Sequence, residues 1–237
     1  MEILTTDQLI NYCKSYNWTR KVTQLHVHHT WKPSHSDYNG SNGLQLQQGM
    51  KDYHTRTPVN GGPADGPYRD IAQHLTLLPD GRWVTGRSFN DTPVSIKDWN
   101  TGAFAIEMLG NFDTGNDKFT GLQAQEMFKF CAFFVVFKLL NIDEDVKFHR
   151  DNPTAGKTCP GTGIDRAWFM NTLKNTVNGD DEMAVYKTIN DVPSWAQPTI
   201  QKLIDKGSLK GDGSGAINVS EDFCRTFVVL DREGLIK

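Results

Sequence analysis

The stretch Thr120–Leu140, TGLQAQEMFKFCAFFVVFKLL, constrains this chain more than any other. Its apolar positions are so dense that it reads as a heavily buried helix, opened by a capping box of Thr120 and Gln123. The run from Cys131 through Leu140 is interrupted by Lys138 and is too short to span a bilayer, so no membrane insertion is expected. The chain also supplies strands. KVTQLHVHHTW (21–31) reads as one, ending near Trp31, and AFAIEML (103–109) as another, apolar but for Glu107. DIAQHLTLLPDGRWVTGRSF reads as a hairpin turning at Pro79-Asp80-Gly81. Thr5-Thr6-Asp7 starts a short capped helix, Asn42–Tyr53 fits a helix only weakly, and Ile164–Leu173 closes the domain as a helix. The fold class expected is α/β: a central mixed sheet flanked by helices.

A composition shift at Asn178-Gly179-Asp180-Asp181-Glu182 marks a linker, which divides the chain into a domain over 1–178, a linker over 179–184 and a small module over 185–237. In the module, VPSWAQPTIQKLIDKG reads as a helix with Pro193 near its start and Gly207 past its end. GDGSGA reads as a turn, and a second helix begins at the cap Ser220.

A net charge of −3 provides no polycationic footprint, which argues against a nucleic-acid partner. The four cysteines lie far apart without a CxxC pair, so neither a disulfide framework nor a four-cysteine zinc site is expected. Cys131 and Cys224 sit in apolar settings and read as core. MEILTTDQLI has no basic stretch leading into an apolar run and does not read as a secretory signal, so synthesis in the cytoplasm is expected.

Cys159 is different. It lies in the polar loop FHRDNPTAGKTCPG (148–161) together with His149 and Lys157. Catalytic zinc takes three protein ligands from His, Cys and carboxylates and keeps a fourth position open. His149 and Cys159 are two such candidates. The strand LHVHHT offers a third, and alternation places His26 and His28 on one face with His29 on the other, without separating His26 from His28. Glu107 is costly inside an apolar strand unless it has a partner or a task, and beside a metal-activated water it could serve as general base. Lys157 could place positive charge where an oxyanion develops.

Taken together, Val27-His28-His29-Thr30, His149-Arg150-Asp151, Lys157-Thr158-Cys159-Pro160-Gly161, QHLTLLPDGRWVTGR and AFAIEMLGN resemble, in the same order, the motifs of the type 2 N-acetylmuramoyl-L-alanine amidases and peptidoglycan recognition proteins. The resemblance covers roughly Val22–Leu173. It implies that His28, His149 and Cys159 hold Zn2+ and that Glu107 acts as catalytic base, with Lys157 at the oxyanion. The substrate implied is the amide between N-acetylmuramic acid and L-alanine in bacterial peptidoglycan. Where other members carry a contributing tyrosine, this chain has Gln73. Trp31, Gln73, Trp99 and Asn100 are groove candidates. The C-terminal DVPSWAQPTIQKLIDKGSLKGDG is similar to a surface-layer homology motif, which implies attachment to cell-wall carbohydrate. The reading is a phage or prophage endolysin that reaches the wall through a holin-type pore. The alternatives are a recognition protein that binds peptidoglycan without cutting it, and a structural zinc site closed by His26, His29 or Asp151.

Overall fold

Side-chain alternation along two central strands divides the sheet into a face for the core and a face for the site. The computed structural model describes residues 1–178, 186–211 and 216–236. Its strands are β1 (Ile3–Leu4), β2 (Gln24–His29), β3 (Leu75–Leu77), β4 (Trp83–Thr85), β5 (Ala103–Met108) and β6 (Val146–Phe148). They form one sheet in the order β1-β4-β3-β5-β2-β6. The pairs β3/β5, β5/β2 and β2/β6 are parallel, while β4 runs antiparallel to both β3 and β1. This is the mixed α/β architecture expected from the sequence.

Leu25 and Val27 on β2 and Phe104, Ile106 and Met108 on β5 share one face, which lies fully inside the main core. Helices α1 (Thr6–Ser15), α3 (Gly121–Lys138) and α5 (Arg166–Asn178) contribute Leu9, Phe130, Phe134, Phe169 and Leu173 to that core. Between them they account for the apolar density of α3, in which Met127, Phe130, Cys131 and Phe134 are wholly buried. A short helix, α4 (Ile142–Asp145), leads into β6. The opposite face carries Gln24, His26 and His28 of β2 and Glu107 of β5, and α2 (Gly43–Thr55) lies on this side with Gln47 and Met50 buried.

Two local readings need correction. The stretch read as a weak helix is a full 13-residue helix, α2. The capping box at α3 does not form, because Thr120 makes no side-chain cap bond. Gln123 instead donates to the carbonyls of Leu77 and Leu109 and meets Nε2 of His35 at 2.9 Å. Buried strand-end carbonyls have no water to turn to, so they claim the amide ahead of an exposed cap. The box at α1, by contrast, is present between Thr5 and Gln8.

His74 anchors the hairpin from inside the core. Its Nδ1 accepts the Ala105 N–H at 2.9 Å, its Nε2 lies 2.9 Å from the Asp91 carbonyl, and its ring stacks on Phe104 at 4.5 Å. Burial pushes its pKa down to about 3. An unfolded histidine takes up a proton below about pH 6.5, so the stability that rests on neutral His74 is complete above that pH and is lost as pH falls towards 3. In urea denaturation with chelator present, unfolding free energy should drop steadily below pH 6.5. His74→Gln should flatten that slope by up to about 1.4 kcal/mol per pH unit.

The chain separates into two compact units, Met1–Gly179 and Asp180–Lys237. In the second, α6 (Gln197–Asp205) and α7 (Glu221–Arg232) pack through Ala196, Ile200, Leu203, Cys224 and Val228. Lys202 reaches Asp231 at 2.6 Å. The proline that opens α6 is Pro198, in its first turn, rather than Pro193. Ser220 caps α7 by accepting the Phe223 N–H, and Tyr186 pairs with Val219 in an isolated antiparallel bridge. The linker at 179–184 and most of the GDGSGA turn lie outside the described residues. Among the described residues no helix is long and apolar enough to cross a membrane.

Candidate metal centre

Parallel strands end together, and the chain uses that edge. The carboxyl ends of β5, β2 and β6 deliver Glu107, His28 and, directly after Phe148, His149 to one place, the usual position for a site in an open α/β sheet. The register sets His28 beside Glu107 on the neighbouring strand.

Cys159 arrives on the loop after β6, held by the residues around His149. Asp151 accepts the Phe148 N–H at 2.9 Å and pairs with Arg166 at 3.0 Å, which fixes the turn His149–Asp151. The Arg150 N–H binds the Cys159 carbonyl at 3.0 Å, and its guanidinium ties down the carbonyls of Gly161 and Ile164. Gly161 has φ of 117°, and a Cβ there would lie 2.4 Å from the Phe112 carbonyl carbon. Gly161→Ala should therefore cost roughly 2 kcal/mol or more. Thermal unfolding would read this as a drop of several degrees, and metal affinity should fall along with it.

One ligand atom from each of His28, His149 and Cys159 lies within 4.8 Å of the others. Cys159 Sγ is 3.3 Å from His28 Nδ1, and the two imidazole rings meet edge to face at 5.0 Å. Burial drives the His28 pKa well below normal; burial and then the charge of Lys157 lower that of His149. Both rings are therefore neutral, with a lone pair free for a cation. Burial raises the pKa of the Cys159 thiol, opposed by the His29 N–H that approaches Sγ at 3.4 Å. Two imidazoles and a thiol at this spacing are a donor set suited to zinc. Residues that would close the site as a fourth ligand are engaged elsewhere. His29 accepts the Phe112 N–H at 3.1 Å, Asp151 holds the turn, and His26 bonds to Ser95 and Gln24.

The open side faces a cleft of about 460 Å³ lined by Glu107, Lys157, Trp31 and Gln73 among others. Among the described residues no hydrogen bond or ion pair reaches the Glu107 carboxylate, and burial pushes its pKa up to about 8. Lys157 is exposed at the cleft. Trp31 stands at the rim, 60% exposed, with its backbone in the left-handed region at φ 56°. A second groove of about 730 Å³ continues from the cleft through Trp31, Tyr53 and Glu107 along α2.

Not every candidate converges. Trp99 lines a separate pocket with Gln24 and Lys147. Asn100 uses its side chain to accept the Ser95 N–H at 2.8 Å. Gln73 does line the cleft, but it is buried and donates to Thr76, and among the described residues its carbonyl oxygen has no hydrogen-bond partner. Sequence reading missed Ser95, Tyr53, His54 and Tyr68, all of which line the cleft. They come from a helix read as weak and from loops whose spacing carries no periodic signal.

A family model described as N-acetylmuramoyl-L-alanine amidase matches residues 18–162. No curated protein matches the chain in sequence. A solved structure of a Drosophila PGRP-LB mutant in complex with tracheal cytotoxin superposes with a TM-score of 0.50 at 19% identity, covering 63% of this chain and 80% of that one. Bumblebee PGRP-SA gives 0.50 at 17% identity, covering 63% and 81%. The amidase LysC from Clostridium intestinale gives 0.49 at 20% identity, covering 68% and 94%.

Proposed function

The chain belongs to the N-acetylmuramoyl-L-alanine amidase family, and on that premise we propose that it is a zinc-dependent hydrolase of the amide between N-acetylmuramic acid and L-alanine in peptidoglycan. The observation that carries the reading is the His28–His149–Cys159 cluster, with His28 and Cys159 buried and His149 half-buried, beside a cleft that also holds a carboxylate without a partner among the described residues. Zinc held there would supply Lewis-acid polarisation of the scissile carbonyl and a lowered pKa for water.

The chain's own residues do the rest. Glu107 accepts a proton from the attacking water and returns it to the departing alanine amine. Lys157, at the mouth of the cleft, stabilises the negative charge that develops on the carbonyl oxygen. Trp31 and the groove along α2 offer an apolar wall for the glycan or the stem peptide. Trp99 lines a different pocket and Asn100 holds the Ser95 backbone, so the proposed binding surface leaves both out.

A protein that only recognised peptidoglycan would have no use for three intact donors beside a poised carboxylate, which favours the hydrolase. We assign the chain to lysis by a phage or prophage, where a holin-type pore would give it access to the wall. The C-terminal unit lies outside the matched residues, and its wall-attachment role rests on the surface-layer resemblance alone.

Purified peptidoglycan incubated with the protein should release stem peptides with a new N-terminal alanine. A chelator should stop the release and added zinc should restore it. Intact wall from both Gram classes, or release indifferent to chelator, would overturn the proposal.

A further inference from the structure

His26 and His28 lie two residues apart on one face of β2, with ring centroids 6.3 Å apart, too far for a direct bond. Ser95 fills the gap. Its Oγ is 2.6 Å from His28 Nε2 and 2.9 Å from His26 Nδ1, and His26 Nε2 is 3.1 Å from Gln24 Oε1. Ser95 is itself held in place. Its N–H donates to Asn100, the Val94 N–H donates to the Ala72 carbonyl, and Ile96 is fully buried.

The Gln24 carbonyl oxygen only accepts, so His26 Nε2 carries a proton. His26 is fully buried with no carboxylate against it among the described residues, so it is neutral and its Nδ1 accepts. The Ser95 hydroxyl therefore donates to His26, and its oxygen accepts from Nε2–H of His28. That leaves His28 Nδ1 as a bare lone pair, and Nδ1 is the nitrogen facing Cys159 Sγ.

We propose that Ser95, His26 and Gln24 form a hydrogen-bond relay that fixes the His28 tautomer and aims Nδ1 at the metal. Ser95, in a loop about 70 residues from the histidine it serves, is thus a positioning residue. The inference rests on the metal-site reading above. Outer hydrogen-bond partners of metal-bound histidines commonly contribute 10–100-fold in affinity.

The test uses the full chain and two readouts. In the metal-free protein, long-range ¹⁵N–¹H correlation should show His28 protonated at Nε2, and Ser95→Ala should shift it to a tautomer mixture. Zinc affinity, measured by competition with a chromophoric chelator, should fall about 10–100-fold in Ser95→Ala and stay near wild type in Ser95→Thr, which keeps the hydroxyl. Circular dichroism checks that both variants are folded. A proton on Nδ1 in the wild type would overturn the relay, as would an affinity in Ser95→Ala within about twofold of wild type. Wall hydrolysis is scored separately. A relay that governs zinc binding in a protein that leaves the wall uncut sustains this inference and removes the hydrolase. Hydrolysis with zinc binding indifferent to Ser95 does the reverse.

Discussion

Glu107→Gln is expected to lower amide hydrolysis by about 10²–10⁴-fold while leaving the metal-free fold at least as stable as the wild type. The two halves of this result have one cause. Glu107 sits in the apolar strand β5 with no protein partner among the described residues, so its charge is a cost to folding. Its pKa, raised from 4.5 to about 8, means that the folded chain keeps a proton which the unfolded chain has already lost. Wild-type stability should therefore fall as pH rises from about 4.5 to 8 on account of this residue, opposite in sign to the acid-side loss from His74. Glutamine has nothing to titrate. The variant's advantage should grow across that window to roughly 2–4 kcal/mol at pH 8, a discounted figure because the carboxylate opens onto the cleft. Urea denaturation at pH 5 and pH 8 with chelator, paired with amino-group release from peptidoglycan, reads both halves. A variant that lost activity and stability together would make Glu107 a structural residue.

Cys159→Ala should remove zinc and activity at once. The thiol is the only sulfur donor in the cluster, and two imidazoles alone hold zinc far more weakly. Metal content should drop from one ion per chain to none after desalting, and hydrolysis should fall by at least about 10³-fold. Zinc at a hundred times its dissociation constant should add about 2.7 kcal/mol to wild-type stability and nothing to the variant. The substitution itself trims one small side chain at a loop held by Arg150 and Gly161, so the metal-free fold should survive it. Retained activity in a variant that binds no zinc would remove the metal from the mechanism.

Much of this site could be read in the sequence because it depends on alternation and on residues that make poor core. The period of two in LHVHHT set His26 and His28 apart from His29, and the structure keeps that division, with His29 against Phe112. His149 and Cys159 stood out because a Pro- and Gly-rich loop gives them no packing role. Glu107 stood out because an apolar strand has no reason of its own to carry it. What stayed hidden is set by tertiary approach. Ser95 comes from a loop with no periodicity, and only folding brings it between two histidines about 70 residues earlier. Asn100 and Trp99 were named as groove candidates alongside the family resemblance, and the structure directs them to Ser95 and to a separate pocket. The cap at Thr120 failed because Gln123 met buried carbonyls that local sequence does not reveal.

The most direct test of the account is X-ray absorption at the zinc edge on the reconstituted protein. One sulfur near 2.3 Å and two imidazole nitrogens near 2.0–2.1 Å are expected around the ion. A fourth light-atom scatterer should be exchangeable and supplied by solvent rather than by the chain. Four protein ligands around the ion, or no sulfur in its shell, would contradict it.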